Sequence, residues 1–136
     1  MQINYEKPAM ISSVAAKTVA TTETDLMTVT NQNFTRQSQI TGYFKITPGS
    51  STNVKIRYYM SPDNGTTWFQ VPTKDKTTGA LTDLPSIINS TSPTQTGVYL
   101  CVEDIPMSAT TAIKVTGQAT TDVAVLTIGY LFVRDN

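Results

Sequence analysis

The chain has 136 residues, no histidine and a single cysteine, and each of these scarcities narrows what it can do. Without histidine there is no Ser-His-Asp or Cys-His nucleophile system. The usual general acid and base at neutral pH and the commonest zinc ligand are missing too. A lone Cys101 cannot form an internal disulfide, so stability has to come from packing or from partner subunits. Set between Leu100 and Val102, it reads as a small buried hydrophobe on a strand and not as a nucleophile. Charge of one sign is also missing: ten basic and ten acidic residues cancel, and no run of Lys or Arg makes a local positive field. Nucleic acid is therefore excluded as an expected partner. The longest apolar run, residues 123–133, is well short of the roughly 20 residues of a membrane helix and is rich in β-branched and aromatic types, so it reads as a strand and no membrane contact is expected. The first eight residues lack the basic-then-apolar layout of a secretory signal, which implies synthesis in a cytoplasm or a signal already removed.

What is present points to β-structure. Threonine makes up close to one residue in five and is spread along the chain, where it alternates with Val, Ile and Tyr as on the solvent face of a pleated sheet. Residues 12–22 are weakly apolar and form a first candidate strand. In 26–30, Leu26 and Thr28 are expected on one face and Met27 and Val29 on the other. The centre is clearer: Ile40, Gly42, Phe44 and Ile46 alternate with Thr41, Tyr43 and Lys45, then, after a Pro-Gly-Ser turn, Val54, Ile56, Tyr58 and Met60 alternate with Lys55, Arg57 and Tyr59. With 68–71 these two runs predict a three-stranded meander over 39–72. Residues 73–95 predict a long connection between sheets, a place where binding surfaces are often built. Strands follow at 97–102, 112–117 and 123–133. The last has two apolar rows, Leu126, Ile128, Tyr130 and Phe132 on one side and Val123, Val125, Leu131 and Val133 on the other, which places it centrally in the sandwich, the alternative being a subunit interface. About eight short strands and no helix predict an all-β chain: a single-domain antiparallel β-sandwich, jelly-roll-like, over residues 11–136. Residues 1–10 carry few periodic apolar positions and predict an N-terminal arm that orders against a partner, with Ile3 and Tyr5 as its anchors.

Catalytic chemistry finds little to work with. The carboxylates Asp63, Asp75, Asp83, Glu103, Asp104 and Asp122 fall where turns or strand ends belong, so they read as solvated turn residues and not as a glycosidase pair. The turn at Asp63-Asn64-Gly65 does not have the spacing of a calcium-binding loop, and Pro48-Gly49-Ser50-Ser51 lacks the lysine and following helix of a phosphate loop. No catalytic residue, metal or cofactor is expected. Tyr43, Tyr59 and Tyr99 fall on the polar faces of their strands beside Lys45, Lys55 and Arg57, where flat amphipathic rings can bury against a partner protein or stack on a sugar.

The most specific local pattern is Ser61-Pro62-Asp63-Asn64-Gly65-Thr66-Thr67-Trp68, that is, Ser-x-Asp-x-Gly-x-Thr-Trp between two alternating runs. It resembles the Asp-box hairpin found in sialidases, other β-propellers, extracellular carbohydrate-handling proteins and small phage virion proteins. The resemblance implies a structural role for Ser61, Asp63, Gly65, Thr67 and Trp68: Asp63 accepts from turn amides, Gly65 takes positive φ, and Trp68 folds back as an apolar clasp. One such box and no internal repeat exclude a propeller. The stretch from Gly42 to Pro72 is similar to parts of small structural proteins of tailed bacteriophages. That likeness implies a non-enzymatic virion protein, a capsid decoration or cement subunit made in the host cytoplasm. It would be held by multivalent contacts with the major capsid protein or another virion protein and with its own copies, a trimer being the first expectation. Candidate interface residues are Ile3, Tyr5, Tyr43, Arg57 and Tyr59. The alternative is a carbohydrate-binding module or host-surface adhesin using the 73–95 loop.

Overall fold

Period-two alternation makes each strand apolar on one side only, and two sheets meeting on those sides build the fold. The computed structural model describes residues 9–32, 37–47, 49, 53–71, 73–74, 81–82, 86–89, 97–106 and 110–135. Its strands are β1 (Ala9–Val19), β2 (Thr24–Val29), β3 (Gln37–Thr47), β4 (Asn53–Ser61), β5 (Phe69–Gln70), β6 (Thr73–Lys74), β7 (Leu81–Thr82), β8 (Ser86–Asn89), β9 (Gly97–Pro106), β10 (Ala112–Ala119) and β11 (Ala124–Asp135). One sheet, here the aromatic sheet, runs β1-β11-β3-β9; the other, the charged sheet, runs β2-β10-β4, with β5 and β8 on the free edge of β4. All ladders are antiparallel, and no helix occurs among the described residues. Taking the eight principal strands in order, the sheets read 1-8-3-6 and 2-7-4-5, the interleaving of a jelly roll.

The meander expected over 39–72 does not form. β3 pairs with β11 and β9, whereas β4 pairs with β10 in the other sheet, so the two alternating runs face each other across the core and are not hydrogen-bonded neighbours. Alternation specifies which side of a strand is buried; it is silent on which strand lies beside it. The connection after β5 also differs from expectation. It contains the short β6–β7 ladder and returns as β8 to pair Asn53 to Ile56 of β4 before the chain crosses to β9. β9 in turn continues through Glu103 and Asp104 to Pro106, so these carboxylates stand in a strand and not at its end.

Bulges account for the remaining differences. On β11 the register against β3 shifts between Leu126 and Ile128, so Thr127 is an extra residue. Ala124 and Leu126 point inward before it, and Gly129, Leu131 and Val133 after it, while Ile128, Tyr130 and Phe132 turn to the outer side and are half-buried. The two rows read from the sequence are therefore interchanged half-way along. β2 has a similar shift opposite Val115 and Thr116, which lets Leu26 and Met27, neighbours in sequence, both be buried.

The core is closed by Ile40, Phe44 and Ile46 from β3 against Val54, Ile56 and Tyr58 from β4 and Ile113 and Val115 from β10, all at most 2% exposed. Tyr58 is the largest fully buried side chain. Its ring crosses toward Gly42 on the opposite sheet, where a Cβ would collide with the Tyr58 hydroxyl and lie 2.6 Å from the Phe44 ring. Gly42→Ala is expected to destabilise the protein by about 1–3 kcal/mol through overpacking. A melting curve followed by circular dichroism checks this, and an unchanged melting temperature would show that Tyr58 is not confined there.

Candidate functional site

Two outer surfaces carry the residues singled out from the sequence, and they are chemically unlike. The first begins at the turn between β4 and β5. Ser61 is fully buried, and its hydroxyl donates to Asp63 Oδ1 at 2.6 Å while accepting from the Gly65 amide at 2.8 Å. Asp63 Oδ1 also accepts from the Thr67 amide at 2.8 Å. Gly65 has φ +98, a conformation L side chains rarely adopt, and a Cβ there would lie 3.3 Å from Trp68 Cζ2. The Ser61 hydroxyl and the Thr67 amide hold the Asp63 carboxyl down to about 2.

Beside this turn lies a second one, joined to it by asparagines. Asn64 Oδ1 accepts from the Asn31 amide at 2.7 Å and Asn31 Oδ1 accepts from Asn64 Nδ2 at 2.9 Å, both residues having φ +58. Thr111 completes the clasp: its hydroxyl accepts from the Asn64 amide at 2.8 Å and its carbonyl from the Gln32 amide at 2.9 Å. Three chain segments far apart in sequence are thereby tied together at one end of the sandwich.

On the outer face of the charged sheet, Glu23 gathers its neighbours. Its carboxylate accepts from the Tyr59 hydroxyl and, at 2.8 Å, from the Thr116 hydroxyl, and it pairs with Arg57 at 3.2 Å. Arg57 donates in addition to Gln118 Oε1 at 2.9 Å, and Gln118 donates to the Thr21 carbonyl, so the β1–β2 corner is pinned to β10 and β4. Lys114 sits 5.1 Å from the Tyr59 ring centre and 4.8 Å from that of Trp68, and lies 3.8 Å from Asp25. Burial and the bond to Glu23 push the Tyr59 phenol up to about 12. For Glu23, partial burial raises the pKa, but the Tyr59 and Thr116 hydroxyls and the charges of Arg57 and Lys114 outweigh it, leaving a carboxyl below its ordinary value. No group of three or more metal-ligating side chains occurs among the described residues.

The aromatic sheet presents the second surface. By register, Phe132 lies between Met10 and Thr41, Tyr130 between Ser13 and Tyr43, and Ile128 between Ala15 and Lys45. Tyr43 and Phe132 meet edge to face, centroids 5.6 Å apart and planes at 82°; Tyr130 and Phe132 are 6.4 Å apart at 49°. Tyr43 is 44% exposed and Met10 56%.

Tyr43 therefore does not share a row with Arg57 and Tyr59. It faces outward from the opposite sheet, with the whole sandwich between them. Tyr99 stands opposite Phe44 in the β3–β9 register. Ile3, Tyr5, Asp75 and Asp83 lie outside the described residues. Sequence reasoning missed Glu23, Lys114, Tyr130 and Phe132. The one signal available for Glu23 was a charge standing among threonines at a corner; Tyr130 and Phe132 needed the bulge to be known.

The sequence matches no protein-family model and no curated protein sequence. Solved structures do match. A chain of the T13 infectious bursal disease virus particle superposes with a TM-score of 0.64 at 9% identity, covering 96% of this chain and 32% of that one. A chain of the Gx strain of the same virus gives 0.51 at 12% identity, covering 97% and 30%. The protein YomS of the SPBc2 prophage gives 0.47 at 18% identity, covering 97% and 99%. At these identities the likeness is one of fold, and the chain spans about a third of the length of the virus-particle chains.

Three outcomes are expected. Asp63→Ala is expected to lower the melting temperature without altering the aromatic sheet's outer surface. Since Asp63 and Glu23 both have depressed carboxyl pKa values, their stabilisation is complete above the ordinary carboxylate range and disappears as pH falls; for Asp63 the window runs from 3.8 down to about 2. The melting-temperature gap between the wild type and Asp63→Asn, measured from pH 6 to pH 2, should close across that window. For the Glu23 cluster, a double-mutant cycle of Glu23→Gln and Tyr59→Phe is expected to show a coupling of about 0.5–3 kcal/mol. Strictly additive effects would show that the two side chains do not act together.

Proposed function

We propose that this chain is a non-enzymatic structural subunit of a virus particle, acting as a capsid decoration or cement protein. The observation that carries this reading is the jelly-roll path, followed over nearly the whole chain by chains of an icosahedral virus particle. Two features agree with it. The carboxylates on the charged sheet are engaged in closing a corner and a turn, by Glu23 with Tyr59, Thr116 and Arg57 and by Asp63 with Ser61 and Thr67, which leaves them tied to structure. The aromatic sheet offers a ring-bearing surface, with Lys45 at its margin, of the composition that protein contacts favour.

In this reading the hairpin residues Ser61, Asp63, Gly65, Thr67 and Trp68 shape the subunit, and contact is made by the arm and by Tyr43. Hold on the particle comes from several modest contacts made at once, with lattice neighbours and with other copies, so that each raises the effective concentration of the next. Trimers are the expected state because icosahedral lattices offer local threefold positions. Sedimentation of the purified chain, followed by mixing with emptied capsids of the virus that encodes it, tests both parts. Oligomers that co-sediment with capsids are expected. A monomer at high micromolar concentration that ignores capsids would remove the reading, and retention on an immobilised glycan instead would favour a carbohydrate-binding role.

A further inference from the structure

We propose that Asn64 is a modification site: it deamidates to aspartate and isoaspartate through the Gly65 nitrogen, the asparagine clasp restrains that reaction, and the product cannot rebuild the clasp. This stands apart from the assembly reading above.

Of the seven asparagines in the chain, Asn64 alone is followed by glycine. A residue without Cβ leaves its backbone nitrogen unhindered toward the side chain that precedes it. Asn64 is exposed, and the reaction needs only water. The Gly65 nitrogen gives its proton to solvent and bonds to Asn64 Cγ; the Cγ–Nδ2 bond breaks and ammonia leaves, closing a succinimide. Water then adds to one of the two ring carbonyls and opens the ring. Cleavage at Cγ gives aspartate, and cleavage at the backbone carbonyl carbon gives isoaspartate. No electrons are exchanged with any other group.

The two groups that must come apart are the two that the clasp engages. The Gly65 N–H that has to lose its proton donates to the fully buried Ser61 Oγ at 2.8 Å. The Asn64 Nδ2 that has to leave donates to Asn31 Oδ1 at 2.9 Å. The backbone fixes which side-chain atom is which, because the Asn31 amide can only donate and lies 2.7 Å from Asn64 Oδ1. Thr111 Oγ1 holds the Asn64 amide at 2.8 Å as well. Reaction therefore proceeds from the locally opened turn, at a rate set by how often it opens. An aspartate at 64 has no N–H to offer Asn31 Oδ1, and its charge stands next to the Asp63 carboxylate. An isoaspartate adds a methylene to the backbone and displaces the Gly65 amide from Ser61. Both products lose the joint between the turn after β2 and the turn after β4.

The folded chain and a peptide of residues 59–70, incubated side by side at mildly alkaline pH, test this. Residue 64 is read by peptide mass and by isoaspartyl methyltransferase labelling. The folded chain is expected to react about tenfold or more slowly than the peptide, tenfold corresponding to about 1.4 kcal/mol of local opening free energy. Asn31→Gly removes the partner of Nδ2 while keeping the positive φ accessible, and is expected to raise the folded rate severalfold. Thr111→Val releases the Asn64 amide and is expected to do the same, which keeps the test open should Asn31→Gly fail to fold by circular dichroism. Asn64→Asp, one of the two products, is expected to fold with a lower melting temperature. Four results would each overturn the proposal: a peptide left intact at 64, a folded wild type reacting as fast as the peptide, folded clasp variants with the wild-type rate, or an Asn64→Asp chain as stable as the wild type.

Discussion

The sandwich depends on one close approach between its sheets, the burial of Tyr58 from β4 over Gly42 of β3. A tyrosine ring is too large to sit between two fully decorated faces about 10 Å apart, and the missing Cβ at Gly42 supplies the room. Around this point Phe44, Ile40, Ile46 and Ile56 pack with at most 1% exposure, so the position of the ring determines how the two sheets stack. The same contact explains why β3 and β4 are partners across the core although they follow one another in sequence.

A second constraint decides what the molecule shows to its surroundings. The extra residue Thr127 in β11 shifts the phase of alternation, sending Leu131 and Val133 into the core and Tyr130 and Phe132 outward. Without that shift the aromatic rings would compete for a core already filled by Phe44 and Tyr58, and the outer face would carry smaller aliphatic groups. Ala16, with φ +52 on the neighbouring edge strand, stands beside the bulge, where β1 accommodates the same bend. The aromatic surface is in this sense a product of backbone irregularity as much as of residue type.

The two outer faces differ in chemistry. On the charged sheet, Glu23 draws hydroxyl, guanidinium and amide groups from β4, β10 and the β1–β2 corner into one network, and the paired asparagines Asn31 and Asn64 lock the turns at the end of the sandwich. On that face Glu23 is paired with Arg57 and Asp25 with Lys114, the arrangement suited to a surface that maintains shape. On the aromatic sheet Tyr43 and Met10 stay roughly half exposed, and Tyr43, Tyr130 and Phe132 meet ring to ring.

Much of the fold class was legible in the sequence by itself. Strict alternation over 40–46 and 54–60, the spread of threonine and the absence of any helical period determined an all-β chain with those residues inside. The local pattern from Ser61 to Trp68 determined a turn between two strands, because the hydrogen bonds among Ser61, Asp63, Gly65 and Thr67 span no more than four residues. Neighbour relations were a different matter. Whether β4 lies beside β3 or across from it, where a bulge inverts a row, and which side chains meet Glu23 are decided by contacts between residues far apart in sequence, 36 positions for Glu23 with Tyr59 and 93 for Glu23 with Thr116. Period-two patterning records burial of a face but carries no label for its partner. The separation of Tyr43 from Arg57 and Tyr59, and the gathering of Tyr43 with Tyr130 and Phe132, therefore came from the tertiary structure alone, where sheet order and register place strands distant in sequence side by side.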